Sequence, residues 1–388
     1  MRFVCDYNYL LSNLMDLSEV VEDALLGEEL KNVIFIFRED SVELLGVNQL
    51  IVFFRPLDHE HFTIDIKQEE LDSNGVRYMQ LRSKEVKDFL NSYKTVRRTK
   101  IEEVTFETMQ SSRVKCTVLE TDIENGKQNT SSWTFTELPM QASIMQQINV
   151  TKPEGELTEV ESDKIIFYTK NLLPLLQSGT SLYSKLTFSN EFVLVFSNTH
   201  VTFMKNVLPD ALRGICLLQR TVSFMDKVIC QAERVNVARD NNYLYFETDK
   251  SRAFIRYDNR LPNFENIIDE FSKNQAFSLD RIYLQDTLKR LKLLNESVEF
   301  TLDTDNSDIT LKNSKFVQQI PMLQVKAMTG VLHFKVLPEV LIKAIVGSDD
   351  EFSSSLFVYY CLDAKKKATL YFTDSSNSWF SAVKVKPY

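Results

Sequence analysis

Three stretches of this chain run through the same succession of apolar and polar positions. Lys84–Glu107, Gln219–Glu247 and Phe334–Cys361 each read as an amphipathic helical pattern followed by a β-rich run. The copies begin roughly 115–135 residues apart, far beyond the ~20–50-residue periods of solenoids, so each repeat is a whole domain. A chain of three similar domains builds a symmetric object, and its function then belongs to the object's shape.

The pattern predicts similar elements in each third. In the first, Arg2–Cys5 is a short strand and Tyr7–Val21 is helical, with apolar residues at intervals of three and four. β-rich runs follow at Val33–Phe37, Ser41–Phe54, Phe62–Ile66 and Val76–Leu81. A helix near Lys84–Val96 and strands at Glu103–Thr108, Val114–Glu120 and Trp133–Leu138 close this third. Met140–Ser162, ending in an acidic polar run, reads as a connector. The second third has a helix near Lys164–Leu176, shortened by Pro174 and Gly179. Strands are predicted at Leu186–Ser189, Phe192–Phe196 and His200–Met204, then a helix at Thr221–Ala232 and strands at Tyr243–Glu247 and Arg252–Tyr257. Arg260–Phe271 leads into the last third. There, helices at Leu284–Asn295 and Pro338–Val346 alternate with strands at Val298–Leu302, Ile309–Lys312, Leu356–Leu362, Ala368–Thr373 and Trp379–Val385. The class is α+β, with about two helices per domain against antiparallel sheets.

Composition narrows the setting. At 388 residues, a prior of roughly 100–200 residues per domain allows two to four domains. No basic-plus-apolar leader opens the sequence, and no apolar run approaches the roughly 20 residues of a membrane helix. Five cysteines are scattered without paired spacing, the usage of a reducing compartment. The expectation is a soluble cytoplasmic protein. The net charge of −9 argues against a nucleic-acid partner only in the far field, because local sign decides contacts. Arg82–Arg98 carries Arg82, Lys84, Lys87, Lys94, Arg97 and Arg98 against only Glu85 and Asp88. Arg281–Lys292 is likewise basic, while the acids collect in Glu19–Glu29, Glu154–Asp163 and Asp303–Asp308.

Catalytic signatures are missing. Among four histidines, His59 and His61 would share a face of a strand, but no second Cys or His pair completes a zinc set. Asp303–Ser314 has Asp308 where a calcium loop needs Gly and Ser314 where it needs Glu, so it reads as a hairpin turn. No phosphate-binding glycine loop, nucleophile elbow or HExxH motif occurs. The sequence therefore predicts a binding or structural protein, not an enzyme, with no cofactor and no metal.

Several segments resemble the bacterial-type β sliding clamp of replicative DNA polymerase. Arg260–Ile268 (RLPNFENII) resembles the segment joining that family's second and third domains, through Leu261, Pro262 and Phe264. Ser132–Pro139 resembles the strand that ends its first domain, Leu284–Glu296 the first helix of its third, and Trp379–Tyr388 its terminal strand and tail. The chain departs from the family at Thr199, Val201 and Asn266, where a glycine, a basic residue and an arginine are usual. This divergence, with richness in Lys, Asn and Phe, fits a phage-encoded clamp.

The resemblance implies three clamp-type domains, 1–148, 149–271 and 272–388, and a ring of two chains head to tail. It implies a processivity factor that encircles duplex DNA without reading sequence and tethers a DNA polymerase and a clamp loader through a short peptide. Implied DNA-facing residues are Lys84, Lys87, Lys94, Arg97, Arg98, Arg220, Lys227, Arg234, Lys289, Arg290, Lys292 and Lys343; about half are expected to face DNA, since helix spacing spreads them. The implied peptide pocket draws on Leu182, Tyr183, Ser197, His200, Val201, Thr202, Pro262, Asn266, Ile267, Val383, Val385 and Tyr388. Trp133, Phe135, Leu293 and Leu294 are the implied subunit contact. Two other classes stay open on sequence alone: a monomeric clamp-like factor that binds DNA on one face, and an enzyme with a site built from scattered carboxylates.

Overall fold

Asp6 ends the first strand and caps the first helix, its carboxylate accepting the Tyr9 N–H at 2.9 Å. The helix then runs over Tyr7–Val21 and buries Leu10, Leu11, Leu14, Leu17, Val20 and Val21 on one side. Each such side chain contributes about 1.5–3 kcal/mol of burial. In a computed structural model, residues 1–22, 31–94, 99–177, 181, 184–197, 200–264, 275–294, 296–303, 307–325, 331–345, 354–362, 368–375 and 378–387 are described.

One element order runs through three times. First come β1 (Arg2–Asp6), α1 (Tyr7–Val21), β2 (Asn32–Phe37), β3 (Val42–Val47), β4 (Ile51–Pro56), β5 (Phe62–Asp65) and β6 (Arg77–Arg82). Then follow α2 (Ser83–Asn91), β7 (Thr99–Met109), β8 (Arg113–Asp122), β9 (Gln128–Thr136) and a short α3 (Ala142–Ile148). The second pass has β10 (Thr158–Glu161), α4 (Ser162–Leu172), β11 (Lys185–Phe188), β12 (Phe192–Phe196), β13 (His200–Lys205) and β14 (Ile215–Leu218). It closes with α5 (Gln219–Lys227), β15 (Arg234–Arg239), β16 (Tyr243–Glu247) and β17 (Arg252–Arg256). The third has β18 (Gln275–Asp280), α6 (Arg281–Lys292), β19 (Val298–Asp303), β20 (Asp308–Lys312), β21 (Val317–Pro321), β22 (Gln324–Val325) and β23 (Val331–Val336). It ends in α7 (Pro338–Ala344), β24 (Ser355–Leu362), β25 (Ala368–Asp374) and β26 (Trp379–Pro387).

The strand orders repeat as well. The ladder β6-β2-β3-β4 of the first pass corresponds to β14-β11-β12-β13 of the second and β23-β19-β20-β21 of the third. The ladder β1-β7-β8-β9 corresponds to β10-β15-β16-β17 and to β18-β24-β25-β26. Successive passes are joined by one rule, in which the last strand of one ladder type pairs with the last of the other. β4 pairs antiparallel with β17, Val52 opposite Phe254, and β13 pairs with β26, Val201 opposite Ala382. Among the described residues, β9 and β21, the two remaining strands of this kind, have a neighbour on one side only.

The chain packs as two compact units. One comprises Met1–Ser162 and Phe224–Tyr257, the other Asp163–Ser223 and Asp258–Tyr388. In the first unit, helix α1 lies so close to β3 that a Cβ at Gly46 would meet Val21 Cγ1 at 3.2 Å. Phe3, Phe35, Phe37 and Phe106 form an aromatic cluster behind it. Within the second unit, the Tyr168 hydroxyl donates to the Lys205 carbonyl at 2.6 Å and accepts from the Val207 N–H at 3.0 Å. That pair of bonds ties α4 to the end of β13.

Several sequence expectations are corrected. The run Ser41–Phe54 is a hairpin, because Asn48 accepts the N–H groups of Leu50 and Ile51 and donates to the Val20 carbonyl. The connector at Met140–Ser162 contains α3 and β10; α3 escapes a periodicity search because only Ile144 of its seven residues is buried. His59 and His61 sit in a single 3-10 turn, not on a strand. The helix expected to reach Val96 ends at Asn91, and residues 95–98 lie outside the described ones. The hairpin reading of Asp303–Ser314 holds, with β19 and β20 paired across it.

Phe53 on β4 is fully buried and meets Phe224 edge-to-face at 5.2 Å, locking the first junction onto α5. Phe53→Ala should cost about 3–5 kcal/mol in chemical denaturation. A loss below about 1 kcal/mol would mean that the junction does not depend on this contact.

Candidate nucleic-acid interface

The cations singled out by the sequence that are described lie on or next to helices, and six of these ten already have an acid. In the first unit, Lys84 on α2 and Lys94 just past it are exposed, with no ion pair among the described residues. Lys87, one turn on from Lys84, is held by Glu22 at the end of α1, which also accepts from the Ser83 hydroxyl at 3.2 Å. Lys227 at the end of α5 pairs with Glu19 of α1 at 2.9 Å. Arg234 is the first residue of a strand, not part of a helix face, and pairs with Glu159 at 2.8 Å. Helix α1 itself carries no Lys or Arg, and its Asp16 is bound by Arg55.

The second unit repeats this neutralisation. Arg220 is half-buried in the first turn of α5. On α6, Lys289 pairs with Asp286 at 3.3 Å and Arg290 donates to the Asp286 carbonyl at 3.2 Å. Lys292 of α6 and Lys343 of α7 share Glu339, at 3.9 and 3.2 Å. Sequence reading found the lysines and missed their partners, because Glu19 and Lys227 are remote in the chain. Arg97 and Arg98 lie outside the described residues.

The residues implied for the peptide pocket are divided by the sheet. His200 stands opposite Val383, and Thr202 opposite Ser381, on one face. Their side chains are interior: the Thr202 and Ser381 hydroxyls are 2.6 Å apart, and Val383 and Val385 are buried. Val201 points to the other face, into a cluster with Leu194, Phe203, Tyr371 and Ala382. Phe264, two residues after the half-buried Pro262, reaches this second face and lies 6.0 Å from the Phe203 ring. Ser197 folds back over the β12–β13 turn, its hydroxyl 2.6 Å from His200 Nδ1. Leu182, Tyr183, Asn266, Ile267 and Tyr388 lie outside the described residues.

The implied subunit-contact residues behave in two ways. Phe135 on β9 is 2 % exposed and packs edge-to-face on Phe89 at 5.8 Å, an ordinary core position. Trp133 on the same strand is 57 % exposed. Leu293, which follows α6, is 85 % exposed, and Leu294 is 37 % exposed. The first unit also holds a polar cleft of about 940 Å³ whose walls include Tyr9, Arg55, His61 and Lys250. Its charges mix, and His61 stacks on Tyr9 at 4.1 Å.

Burial, with the Lys343 ammonium as a second cause, pushes His200 down from 6.5 to about 4. The folded protein thus holds a neutral imidazole, while the unfolded chain binds the extra proton. This contribution is full above pH 6.5 and is lost as pH falls from 6.5 towards 4, by roughly 3 kcal/mol at most. Asp258, held well below the usual carboxylate range by hydrogen bonds from Arg260 and Lys185, acts below that window. Denaturation measured from pH 7 to pH 4 should steepen in the wild type and flatten in His200→Asn. Equal slopes would assign the window to other groups.

No protein-family model matches the chain, and no curated protein sequence does. Solved structures match along its whole length. The DNA polymerase sliding clamp of Caulobacter crescentus superposes with a TM-score of 0.75 at 11% identity, covering 100% of this chain and 99% of that one. The Bacillus subtilis sliding clamp gives 0.75 at 12% identity, with 100% of both chains covered. The Helicobacter pylori β clamp, solved with a DNA ligase peptide, gives 0.70 at 10%, again over 100% of both chains. At such identities the likeness is one of fold, and the chain has the α+β DNA-clamp fold of the bacterial DNA polymerase β sliding clamps.

Proposed function

We propose that this protein is a sliding clamp: a non-catalytic ring that encircles duplex DNA and tethers a replicative DNA polymerase for processive synthesis. The observation that carries this reading is the pair of open strand edges, β9 and β21, at the ends of a series already joined twice by one rule. Three domains, 1–148, 149–271 and 272–388, account for the threefold element order. The third junction, β21 to β9, is then made with a second copy, head to tail. Heterologous contacts of this kind close into a ring when the rotation permits. Two chains of three domains supply a sixfold arrangement, with helices inward and sheets outward.

Duplex DNA carries one negative charge per roughly 1.7 Å of axis, so a modestly basic lining holds it without reading bases. Weak contacts suit a device that must slide. By analogy with the ligase peptide on the Helicobacter pylori clamp, polymerase and loader are proposed to dock through a short peptide beside Val201 and the Pro262 segment. The runner-up, a monomeric factor that binds DNA on one face, predicts a different mass.

Native mass spectrometry should return twice the 45.1 kDa of one chain. Leu293→Ala with Leu294→Asp should yield folded monomers; a variant that stays dimeric removes this contact, and a monomeric wild type removes the ring. Neutralising Lys84 and Lys94 together should reduce the slope of log K against log salt by up to about 1.8, at ~0.9 per phosphate contact. An unchanged slope would take both lysines off the DNA path.

A further inference from the structure

Among the described residues, six of the ten proposed DNA-facing cations are ion-paired. Glu22 holds Lys87 in a partly enclosed pair, while two more exposed carboxylates, Glu19 and Glu339, bridge helices. Glu19 projects from α1 and holds Lys227 of α5, with its two oxygens at 3.1 and 2.9 Å from Nζ. Glu339 of α7 stands between Lys343, one turn along the same helix, and Lys292 of α6. All three pairs are solvent-accessible, with side chains between about a third and just over half exposed. Pairs of this kind contribute little to stability, because water and salt screen them. Breaking them therefore costs the fold little, which leaves these lysines free to exchange partners.

We infer that Glu19 and Glu339 compete with the phosphodiester backbone of DNA for Lys227, Lys292 and Lys343, keeping the grip weak enough for movement along the duplex. This rests on the sliding-clamp reading and adds to it a mechanism that sets the strength of the DNA contact. A lysine that leaves its carboxylate for a phosphate breaks one ion pair and makes another. The DNA releases a counterion at the new contact, while the vacated carboxylate recruits a cation from solution. The exchange is nearly neutral in ions, so such a lysine adds little to the salt slope. A lysine without a competitor releases the counterion outright. The hydrogen bond from Lys343, with its charge and that of Lys292, also holds the Glu339 carboxyl below its usual range, so the competitor stays ionised at neutral pH.

The test measures binding of the full-length protein to a short fluorescein-labelled linear duplex by anisotropy, from about 50 to 200 mM salt. Glu19→Gln with Glu339→Gln should bind several-fold tighter at the low end, with a slope steeper by about 0.9 for each lysine released. Glu69→Gln with Glu299→Gln removes the same charge from exposed pairs with Lys67 and Lys335, which lie at a 3-10 turn and on strands and not on these helices. It should leave the slope at the wild-type value. Glu19→Asp with Glu339→Asp keeps the charge and should also follow the wild type. A helix-variant slope equal to that of the Glu69/Glu299 control overturns the competition. A wild type that binds the duplex with no salt dependence overturns the DNA reading itself, and the competition with it. Thermal melting of each variant separates both results from misfolding.

Discussion

Everything in this fold depends on what happens at the last strand of each sheet. Every backbone N–H and C=O must be paired or wetted, and an antiparallel edge left open presents a row of both. The chain meets this constraint twice in the same way, with β17 set against β4 and β26 set against β13. Pairing fixes register, and register fixes which side chains face the helices. In the first junction Phe53 and Ala253 share one face, where Phe53 reaches Phe224, while Val52 and Phe254 share the other. A one-residue slip would exchange the two sets and turn the helix-facing contacts away from the helix. The edges of β9 and β21 hold the same places in their ladders as the joined ones and lack a neighbour among the described residues, which is why the proposed ring rests on topology more than on any single residue.

Charge plays a second, weaker part. With 54 acids against 45 Lys and Arg, the protein would repel DNA if its charges were smeared evenly. They are instead paired at close range, as with Lys87 and Glu22, or Arg55 and Asp16. Close pairs cancel in the far field and remain exchangeable near a polyanion. Some serve the fold as well. Asp258 accepts from Lys185 at 2.7 Å and from its neighbour Arg260 at 3.0 Å, while its backbone exchanges two hydrogen bonds with Cys216. This fixes the start of the segment that carries Pro262 and Phe264 onto β14.

How much of this was legible in the sequence depended on how local the determining contact is. Helix α1 is readable to its ends because Asp6 caps it and its leucines recur at helical spacing. In the third pass the β19–β20 pair and the run β24-β25-β26 are readable because alternation and turn residues are local signals, whereas β18, β21, β22 and β23 have no counterpart in the sequence reading. Strands β10 and β14, four residues each, are set by partners far along the chain, Val237 and Leu186 among them, so no window of sequence reveals them. The candidate site divides on the same line. Cationic helices were visible, but whether a lysine is free depends on Glu19 or Glu339 arriving from another element or turn. Arg234 lies just beyond the helix expected at Thr221–Ala232, and it opens β15 after the short 3-10 turn Ile229–Gln231, so its direction is set by the strand and not by helical spacing.

The two junctions also show what lies across the sheet from the helices. In the first unit, Ile144 of α3 packs onto Val47, Val52, Tyr245 and Phe254. In the second unit, the equivalent positions by strand register are Phe196, Val201, Tyr371 and Ala382, and the side chain that meets this cluster is Phe264. The connecting segment after each junction thus returns over the face turned away from the helices. A peptide docking at the second junction, as proposed, cannot use His200, Thr202 and Val383 without opening the interior, since these face inward. It has to meet Val201 and the margin of the Pro262–Phe264 segment instead. Its anchors would then be apolar and aromatic, matched to Phe192, Phe196 and Phe380 around that margin rather than to a basic rim.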